Sequence, residues 1–572
     1  LSAYATTESP PYDSAKLLTL RAKSATEATT KQRISPQISL LAQPGNTESE
    51  IVPGQRPTPS ETMTNKDAKA RQQKIADVLH KLKAKLWPWN HTKDSGIELD
   101  DDRILERCQW DIITKIDRAA IVEIVRQAVV RQGHRNPAIR IIGTAQGTYH
   151  FVFKVKTLSA ASKKIKGWVV KVPGHGTPGR WAKEDEHMLT REVETMELLS
   201  EHTNIPSPEV LGYSATLDND FGFPYIVMEE LPGKPATDIW FEQHGEVSSL
   251  ETEQKCLTFL RSLARHMTEL NKLPFEQIGI PTYPRTGAEF YNIHDRAEHE
   301  PLPVKKYYVW PFCDSFRAVE RGPLASTQAY IRHARDQDEL PLPNKKGKFD
   351  YAQLQDLGMS KVLDMVFAHA IFNSTRNDSF TLRHSDLDTQ NILVDDNGNI
   401  TGILDWDGSL SMPRCVGHAS VPHFLDRDFY PDAAIKSLFL SWRASHYRSI
   451  YAAALVEAGN PDAQYTTKSH IYQAAFAALY EGGDKTDFVC RLLREVPGLQ
   501  METDHLMALI GKGCKVTEEM LKTELWKVLA PEMPVKGLLD DIDKQHAEAA
   551  VQIWMDGFAA LSSSDDDEAW CF

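Results

Sequence analysis

Apolar residues recur at intervals of three and four in two stretches near the start of the chain, Ile75, Val78, Leu79, Leu82 and Leu86 in the first, Ile121, Ile124, Val125, Ala128 and Val129 in the second. That spacing places each set on one helical face and predicts two helices ahead of the main domain. Between 138 and 173 the period changes to two. Ile139, Ile141 and Ile142 run into Gly143 and Gly147, followed by alternating Phe151, Phe153 and Val155 and, past a lysine-rich turn, Trp168 to Val172. This pattern predicts a β-meander with a glycine loop at its start. Lys183 to His202 reads as a helix carrying Met188, Val193, Met196, Leu198 and Leu199 and closed by Pro206 and Pro208, with a strand over 224–229 after it. Beyond Gly233 the pattern is mostly helical. Ser248 and Glu251 stand at capping-box spacing before Leu257, Leu260, Leu263, Ala264, Met267 and Leu270.

These patterns divide the chain. Residues 1–64 are rich in Ser, Thr, Pro, Ala and Gln, with Tyr4 and Tyr12 the only aromatics before Trp87, and are expected to form a disordered leader. The chain opens at Leu1, which reads as processing or as a fragment. Lys16, Arg21, Lys23, Lys31 and Arg33 among hydroxyl residues give a faint likeness to a transit peptide, opposed by Glu8, Asp13 and Glu27. The expected compartment is cytoplasmic, with mitochondrial as the alternative. A helical extension over 65–137 precedes a strand-rich part at 138–231 and a helical part at 232–545, with a helix end and acidic tail at 546–572. Proline-rich and charged stretches at 281–305 and 336–349 read as excursions between helices.

Composition narrows the function. The 572 residues hold ample apolar material for a large core, and no apolar run approaches the roughly 18 to 20 residues that span a bilayer. Lys and Arg total 65 against 79 Asp and Glu, a net charge of −14, which argues against a broad nucleic-acid or anionic-membrane surface. The seven cysteines are scattered without a CxxC pair, so neither a zinc site nor a disulfide framework is suggested, and a reducing compartment fits.

The chemistry concentrates at His384-Ser-Asp-Leu-Asp-Thr-Gln-Asn-Ile-Leu-Val, the turn Asp395-Asp-Asn-Gly398, and Ile400-Thr-Gly-Ile-Leu-Asp405-Trp-Asp407. Two short strands flank a turn, with polar groups at both ends. Phosphoryl transfer needs a carboxylate beside the attacking hydroxyl and oxygen ligands for Mg²⁺; Asp386, Asn391 and Asp405 supply one group of each kind. His384 also reads as a buried histidine that satisfies a backbone carbonyl.

The motif resembles the aminoglycoside phosphotransferase family, the protein-kinase-like small-molecule kinases, and in particular its fungal members: His, one residue, Asp-Leu, three residues, Asn-Ile-Leu-Val-Asp, then Gly-Ile-Leu-Asp-Trp-Asp. Similarity extends through Met228-Glu-Glu-Leu-Pro-Gly233, Leu273 to Gly279 and Arg321-Gly-Pro323, covering approximately 138–425. The resemblance implies that Asp386 is the general base or orients the hydroxyl, that Asn391 and Asp405 ligate magnesium, and that His384 braces the loop. Lys171, with Glu192 21 residues later in the predicted helix, has the spacing of the kinase lysine and its helix partner; Glu194 is a rival on another side of that helix. Gly147 and Thr148, in Gly143-Thr-Ala-Gln-Gly147-Thr148, are expected to offer backbone N–H groups to ATP phosphates. Met228, Glu229 and Leu231 are expected to hold a purine edge through their backbone. Asp388 and Asp407 flank the base and the metal site as candidate substrate contacts, adding negative charge that would favour amino-bearing alcohols.

Three look-alikes carry less. Gly174-His-Gly-Thr-Pro-Gly179 matches a dinucleotide-loop string, but its prolines remove donors, and it reads as the linker between the Lys171 strand and the Glu192 helix. Ala530-Pro-Glu532 imitates a protein-kinase anchor yet stands 125 residues past Asp405, and Trp87-Pro-Trp89-Asn-His91 has one histidine without partners. The resulting expectation is an α+β, protein-kinase-like two-lobed fold, with a small antiparallel-sheet N-lobe at 138–231 and a mainly helical C-lobe at 232–545. It is expected to phosphorylate a small-molecule hydroxyl with ATP and Mg²⁺. The alternatives are a nucleotide-binding pseudokinase with a regulatory role and a choline- or ethanolamine-kinase-like enzyme.

Overall fold

The alternating segment folds into five antiparallel strands in the order β1-β2-β3-β5-β4, with β1 at Ala138–Gln146, β2 at His150–Leu158, β3 at Ile165–Pro173, β4 at Val210–Ser214 and β5 at Tyr225–Glu229. The computed structural model describes residues 107–133, 137–158, 164–240, 249–283, 301–310, 316–336, 338, 340–373, 379–429, 438–479 and 485–562. All lie in one of two units of the chain; the other, Ala22–Leu99, falls outside them. The expected leader, the helix over 67–86, the Trp87 to His91 segment and the acidic tail beyond Ser562 also lie outside the described residues.

The period of two decides which side chains face which layer. Phe151, Phe153, Val155, Trp168, Val170, Val172 and Val227 point to one face and bury it against Ile121, Ile124, Val125, Ala128 and Val129 of the helix Arg118–Arg131. Val152, Val169, Ile226 and Met228 point the other way, against Leu189, Val193 and Met196 of the helix Lys183–His202. The sheet is therefore covered on both faces, and the second predicted N-terminal helix forms one layer of this lobe. Each fully buried aliphatic side chain contributes about 1.5–3 kcal/mol to such a stack. Lys171 lies opposite Val152, on the face that looks toward the second lobe.

The helix Lys183–His202 begins where the acidic residues Glu184, Asp185 and Glu186 meet the positive end of its dipole, and Asp185 accepts the Ala182 N–H at 2.8 Å. An extended Thr203 stops it, ahead of Pro206 and Pro208.

After β5 and the two-residue strand β6, Lys234–Pro235, the chain becomes mainly helical. The helix Leu250–Glu269 is capped by Ser249, whose Oγ accepts the Thr252 N–H at 3.2 Å. This corrects the expected box of Ser248 and Glu251: the first helical residue is one position later, so the capping bond falls to Ser249. The helices Tyr351–Phe367 and Thr503–Gly511 meet backbone to backbone. A Cβ on Gly358 would lie 2.0 Å from the Met507 carbonyl oxygen, and one on Gly511 would lie 1.9 Å from that of Leu354. The excursion after 280 carries short paired strands that helical periodicity did not predict, Ile280–Pro281 with Val304–Lys305 and Tyr307–Val309 with Val319–Arg321. A small antiparallel-sheet lobe followed by a larger, mainly helical one is the α+β protein-kinase-like fold.

Candidate active site

The strand Phe380–Arg383 pairs antiparallel with Leu410–Pro413 and launches the loop that carries Asp386. A single 3₁₀ turn, Thr389–Asn391, leads into the hairpin Ile392–Val394 and Ile400–Ile403. Its turn is closed by the Asp395 carboxylate, which accepts the N–H groups of Asn397 and Asn399 at 2.9 and 2.8 Å. The hairpin explains the spacing: Asn391 and Asp405 sit at its open end, and the Leu404 N–H donates to the Asn391 carbonyl at 2.8 Å. Asp405 has φ of 61°, the one non-glycine residue among those described with a left-handed backbone. An aspartate held there by its surroundings is stored strain of the kind found at functional sites.

His384 is buried. Its Nδ1 accepts the Asp386 N–H at 3.1 Å and its Nε2 faces the Leu404 carbonyl at 2.9 Å, so the ring is the neutral Nε2–H tautomer. Burial lowers its pKa, against the hydrogen bond to the Leu404 carbonyl and the charges of Asp386 and Asp405, and keeps it neutral. One imidazole thus ties the backbone of Asp386 to that of Leu404, the residue before Asp405. Asn391 Nδ2 donates to the Asp386 carbonyl and to its Oδ2, at 2.8 and 3.0 Å. Both partners are acceptors, which fixes the amide orientation and leaves the fully buried Oδ1 with no hydrogen-bond partner. That orphaned oxygen and the Asp405 carboxylate form a hard oxygen donor set that fits Mg²⁺, an ion that takes one or two protein oxygens and completes its shell with phosphate and water.

Lys171 reaches across from β3. Its Nζ donates to Glu192 Oε1 at 2.7 Å and to Asp405 Oδ1 at 2.8 Å, and all three side chains are buried. Burial disfavours the ammonium, but Asp405 and then Glu192 outweigh it and hold Lys171 protonated. Burial pushes the Glu192 carboxyl up to about 7 against the pull of Lys171, while Asp405, despite its burial, is held well below the usual carboxylate range, mainly by Lys171. Glu194 faces elsewhere, pairing with Arg191 at 2.6 Å and accepting from Thr282 Oγ1 and the Tyr283 N–H.

Other expected contacts are rearranged. Gly147 donates its N–H to the His150 carbonyl at 2.8 Å and closes the β1–β2 hairpin, so it forms the turn and is not a free phosphate donor; Thr148 stands at the tip. Gly143 lies inside β1 at a register shift, not in a loop. Met228 is buried in β5, and Glu229 donates its N–H to the Glu209 carbonyl at 2.9 Å, which removes that donor from a purine edge. Leu231 packs against Gly402 of the hairpin. Asp388 neither faces solvent nor presents an open charge: it is buried, caps the 3₁₀ turn through the Thr389 N–H at 2.7 Å, and pairs with Arg427 at 2.5 Å. Asp407 lies beside Lys171 and Asp405, and burial pushes its carboxyl up. Its carbonyl accepts from Ser385 Oγ. The Asp388 charge expected to draw amines is thus answered by Arg427.

Residues that sequence reasoning did not single out also converge. Arg107 binds Asp185 at 2.6 Å and stacks over Trp310, fixing the start of the Glu192 helix. His150 is buried opposite Pro173, and burial, with the charge of Lys171, keeps its pKa well below the usual imidazole value. The segment 422–427 returns beneath the catalytic loop. No spacing rule reaches these contacts, because the chain returns from a distance to make them. The Gly174–Gly179 string is a turn between β3 and the next helix, and Ala530 ends the helix Lys515–Leu529.

A protein-family model described as the phosphotransferase enzyme family matches residues 128–419, just over half of the chain. Among curated proteins, a subtelomeric hrmA-associated cluster protein of Aspergillus fumigatus is 27% identical over 317 residues, 50% of this chain and 60% of that protein. Clavilactone A biosynthesis cluster protein Y of Ampulloclitocybe clavipes is 26% identical over 265 residues, 45% of this chain and 58% of that protein. The chain therefore spans about three-fifths of the length of these relatives. Among solved structures, a thermostable mutant of the aminoglycoside phosphotransferase APH(4)-Ia in ternary complex with AMP-PNP and hygromycin B aligns with 13% identity and a TM-score of 0.32, covering 68% of this chain and 99% of that one. An ethanolamine kinase of Plasmodium vivax aligns with 13% identity and a TM-score of 0.24, covering 70% and 84%. Among the described residues no helix is long and apolar enough to cross a membrane.

Proposed function

Because the chain belongs to the phosphotransferase enzyme family, we propose that it transfers the γ-phosphoryl group of ATP, with Mg²⁺, to a hydroxyl of a small molecule. The observation that carries this reading is the buried Asn391 Oδ1 without a partner, held beside Asp386 at the open end of the hairpin that delivers Asp405. Lys171 supplies fixed positive charge for the triphosphate, and Glu192 keeps that charge in place as phosphate oxygens take over from Asp405. Asn391 and Asp405 would hold the metal, which supplies charge neutralisation on the transferring phosphoryl oxygens. Asp386 receives the proton of the attacking hydroxyl as the new O–P bond forms and the bond to the ADP leaving oxygen breaks. Thr148 at the hairpin tip and the backbone of Leu231 after β5 are the proposed contacts to phosphate and purine.

The acceptor is proposed to be a small molecule because Asp405 is followed by Trp-Asp and a short strand at Leu410–Pro413, with no long activation segment to seat a peptide. With Asp388 paired to Arg427, the charge of that acceptor is left to experiment. Purified protein incubated with labelled ATP and Mg²⁺ against amino sugars, amino alcohols, neutral sugars, anionic alcohols and generic protein substrates should label a small hydroxylated compound. Tight nucleotide binding with no transfer to any acceptor or to water would favour the pseudokinase alternative, and labelling confined to protein would overturn the acceptor class.

A further inference from the structure

The residues on either side of Asp386 are fastened to one histidine. The backbone N–H of His423 donates to the Leu387 carbonyl at 2.9 Å, and its Nε2 lies 3.2 Å from the Ser385 carbonyl. The other ring nitrogen, Nδ1, lies 3.3 Å from Asp426 Oδ2. A carbonyl oxygen and a carboxylate are both acceptors, and a neutral imidazole carries a single N–H, so only the imidazolium donates to both. The turn that bears His423 is itself held, since Arg448 donates to the Leu425 carbonyl at 2.8 Å and Arg427 pairs with Asp388.

Resting on the reading of Asp386 as the base, we propose that His423 is a positioning residue for the transfer step, whose imidazolium holds the Ser385–Leu387 backbone so that Asp386 faces the acceptor hydroxyl. Among the described residues, the charged and titratable groups around it are Asp426 on its own turn, Asp386 and His384 in the catalytic loop, Arg383 at the end of the preceding strand, and His418, which lines the same cavity. Burial opposes the charge and Arg383 repels it, but Asp426, followed by Asp386, outweighs them and holds the His423 pKa up to about 9. A raised folded pKa means the brace is complete below the unfolded value near 6.5 and is lost as pH rises through about 9.

The test measures ADP release with MgATP, using water or a hydroxyl compound found by screening as acceptor, from pH 6 to 10. The wild type should lose kcat above about pH 9. His423→Gln keeps one donor without the charge; its kcat should be lower by about 10- to 100-fold, as expected for a slightly misplaced base, and should cross pH 9 without that limb. Its KM for ATP should stay within about twofold, because the histidine acts on the acceptor side. Asp426→Asn, a second variant should the first fold poorly, should move the alkaline limb toward the ordinary imidazole value. An unchanged alkaline limb in both variants, or a rise in KM for ATP at constant kcat, overturns the proposal. A protein with no turnover at all would defeat the phosphotransferase reading, and thermal melting would still decide the charged brace. The wild type should be more stable than His423→Gln at pH 6 and the gap should close above pH 9; a gap independent of pH overturns it.

Discussion

Asp405 accepts an unfavourable backbone angle, φ of 61°, in order to present its carboxylate beside Lys171, and Asn391 keeps one buried oxygen unbonded beside Asp386. Each costs stability, and each makes sense at a site completed by a ligand. Asp386→Asn should lower kcat by about 100- to 10,000-fold, the range for loss of a general base, with nucleotide affinity unchanged by calorimetry. A matching loss of nucleotide binding would refute its assignment to the acceptor side. Lys171→Met should reach further than catalysis, because it strands two buried carboxylates; breaking such a cluster costs about 3–5 kcal/mol. The pH dependence has a definite sign. Without the lysine, Glu192, already pushed up to about 7 by burial, binds its proton more tightly in the folded than in the unfolded chain, so the variant should gain stability relative to wild type as pH falls from 8 to 6. Melting curves at both pH values check this. Lys171, Glu192, Asp386, Asn391 and Asp405 were legible because each lies at a fixed spacing within a strand, helix or hairpin. His423, Arg427 and the burial of Asp388 were not, because those contacts are made by a segment more than thirty residues away along the chain.

Among elements, those with strong periodicity were the readable ones. The meander and the helix Lys183–His202 were legible because alternation or a three-four repeat runs through them and charged first turns or prolines mark their ends. The short strands Ile280–Pro281 and Val304–Lys305 have no period of their own; they are strands only because each finds the other. The cap at Ser249 slipped by one residue for a similar reason, since two adjacent serines offer the same chemistry and packing decides between them. The crossing of Tyr351–Phe367 over Thr503–Gly511 was also unreadable, because Gly358 and Gly511 look like helix-weakening residues until two backbones are found in contact there. Gly358→Ala should therefore destabilise the protein despite alanine's better helix propensity. Its Cβ would stand 2.0 Å from the Met507 carbonyl oxygen and force the helices apart, at a cost of about 1–3 kcal/mol typical of overpacking. A denaturation midpoint equal to or above that of wild type would show that the crossing yields without cost.

Across the whole molecule, Lys171 of β3 ties the sheet lobe to Asp405 of the helical lobe at 2.8 Å, with Glu192 behind it. On the proposed reading, this arrangement would make the metal a condition of nucleotide binding. Triphosphate arriving alone brings negative charge toward Asp405, Asp407 and Glu192 with a single lysine to receive it. On the same reading, Asp405 and the orphaned Asn391 oxygen would hold Mg²⁺, whose charge would offset that of the triphosphate and leave Lys171 to the phosphates. MgATP at about 100 times its dissociation constant should stabilise the folded protein by about 2.7 kcal/mol, seen as a rise in Tm. The same ATP with EDTA should give a much smaller rise. Asp405→Ala should remove the difference between the two conditions, because the variant loses both the metal donor and the carboxylate that repels free ATP. Equal shifts with and without Mg²⁺ in the wild type would mean that the nucleotide is held by Lys171 and the sheet lobe alone, and that Asn391 and Asp405 serve some other purpose.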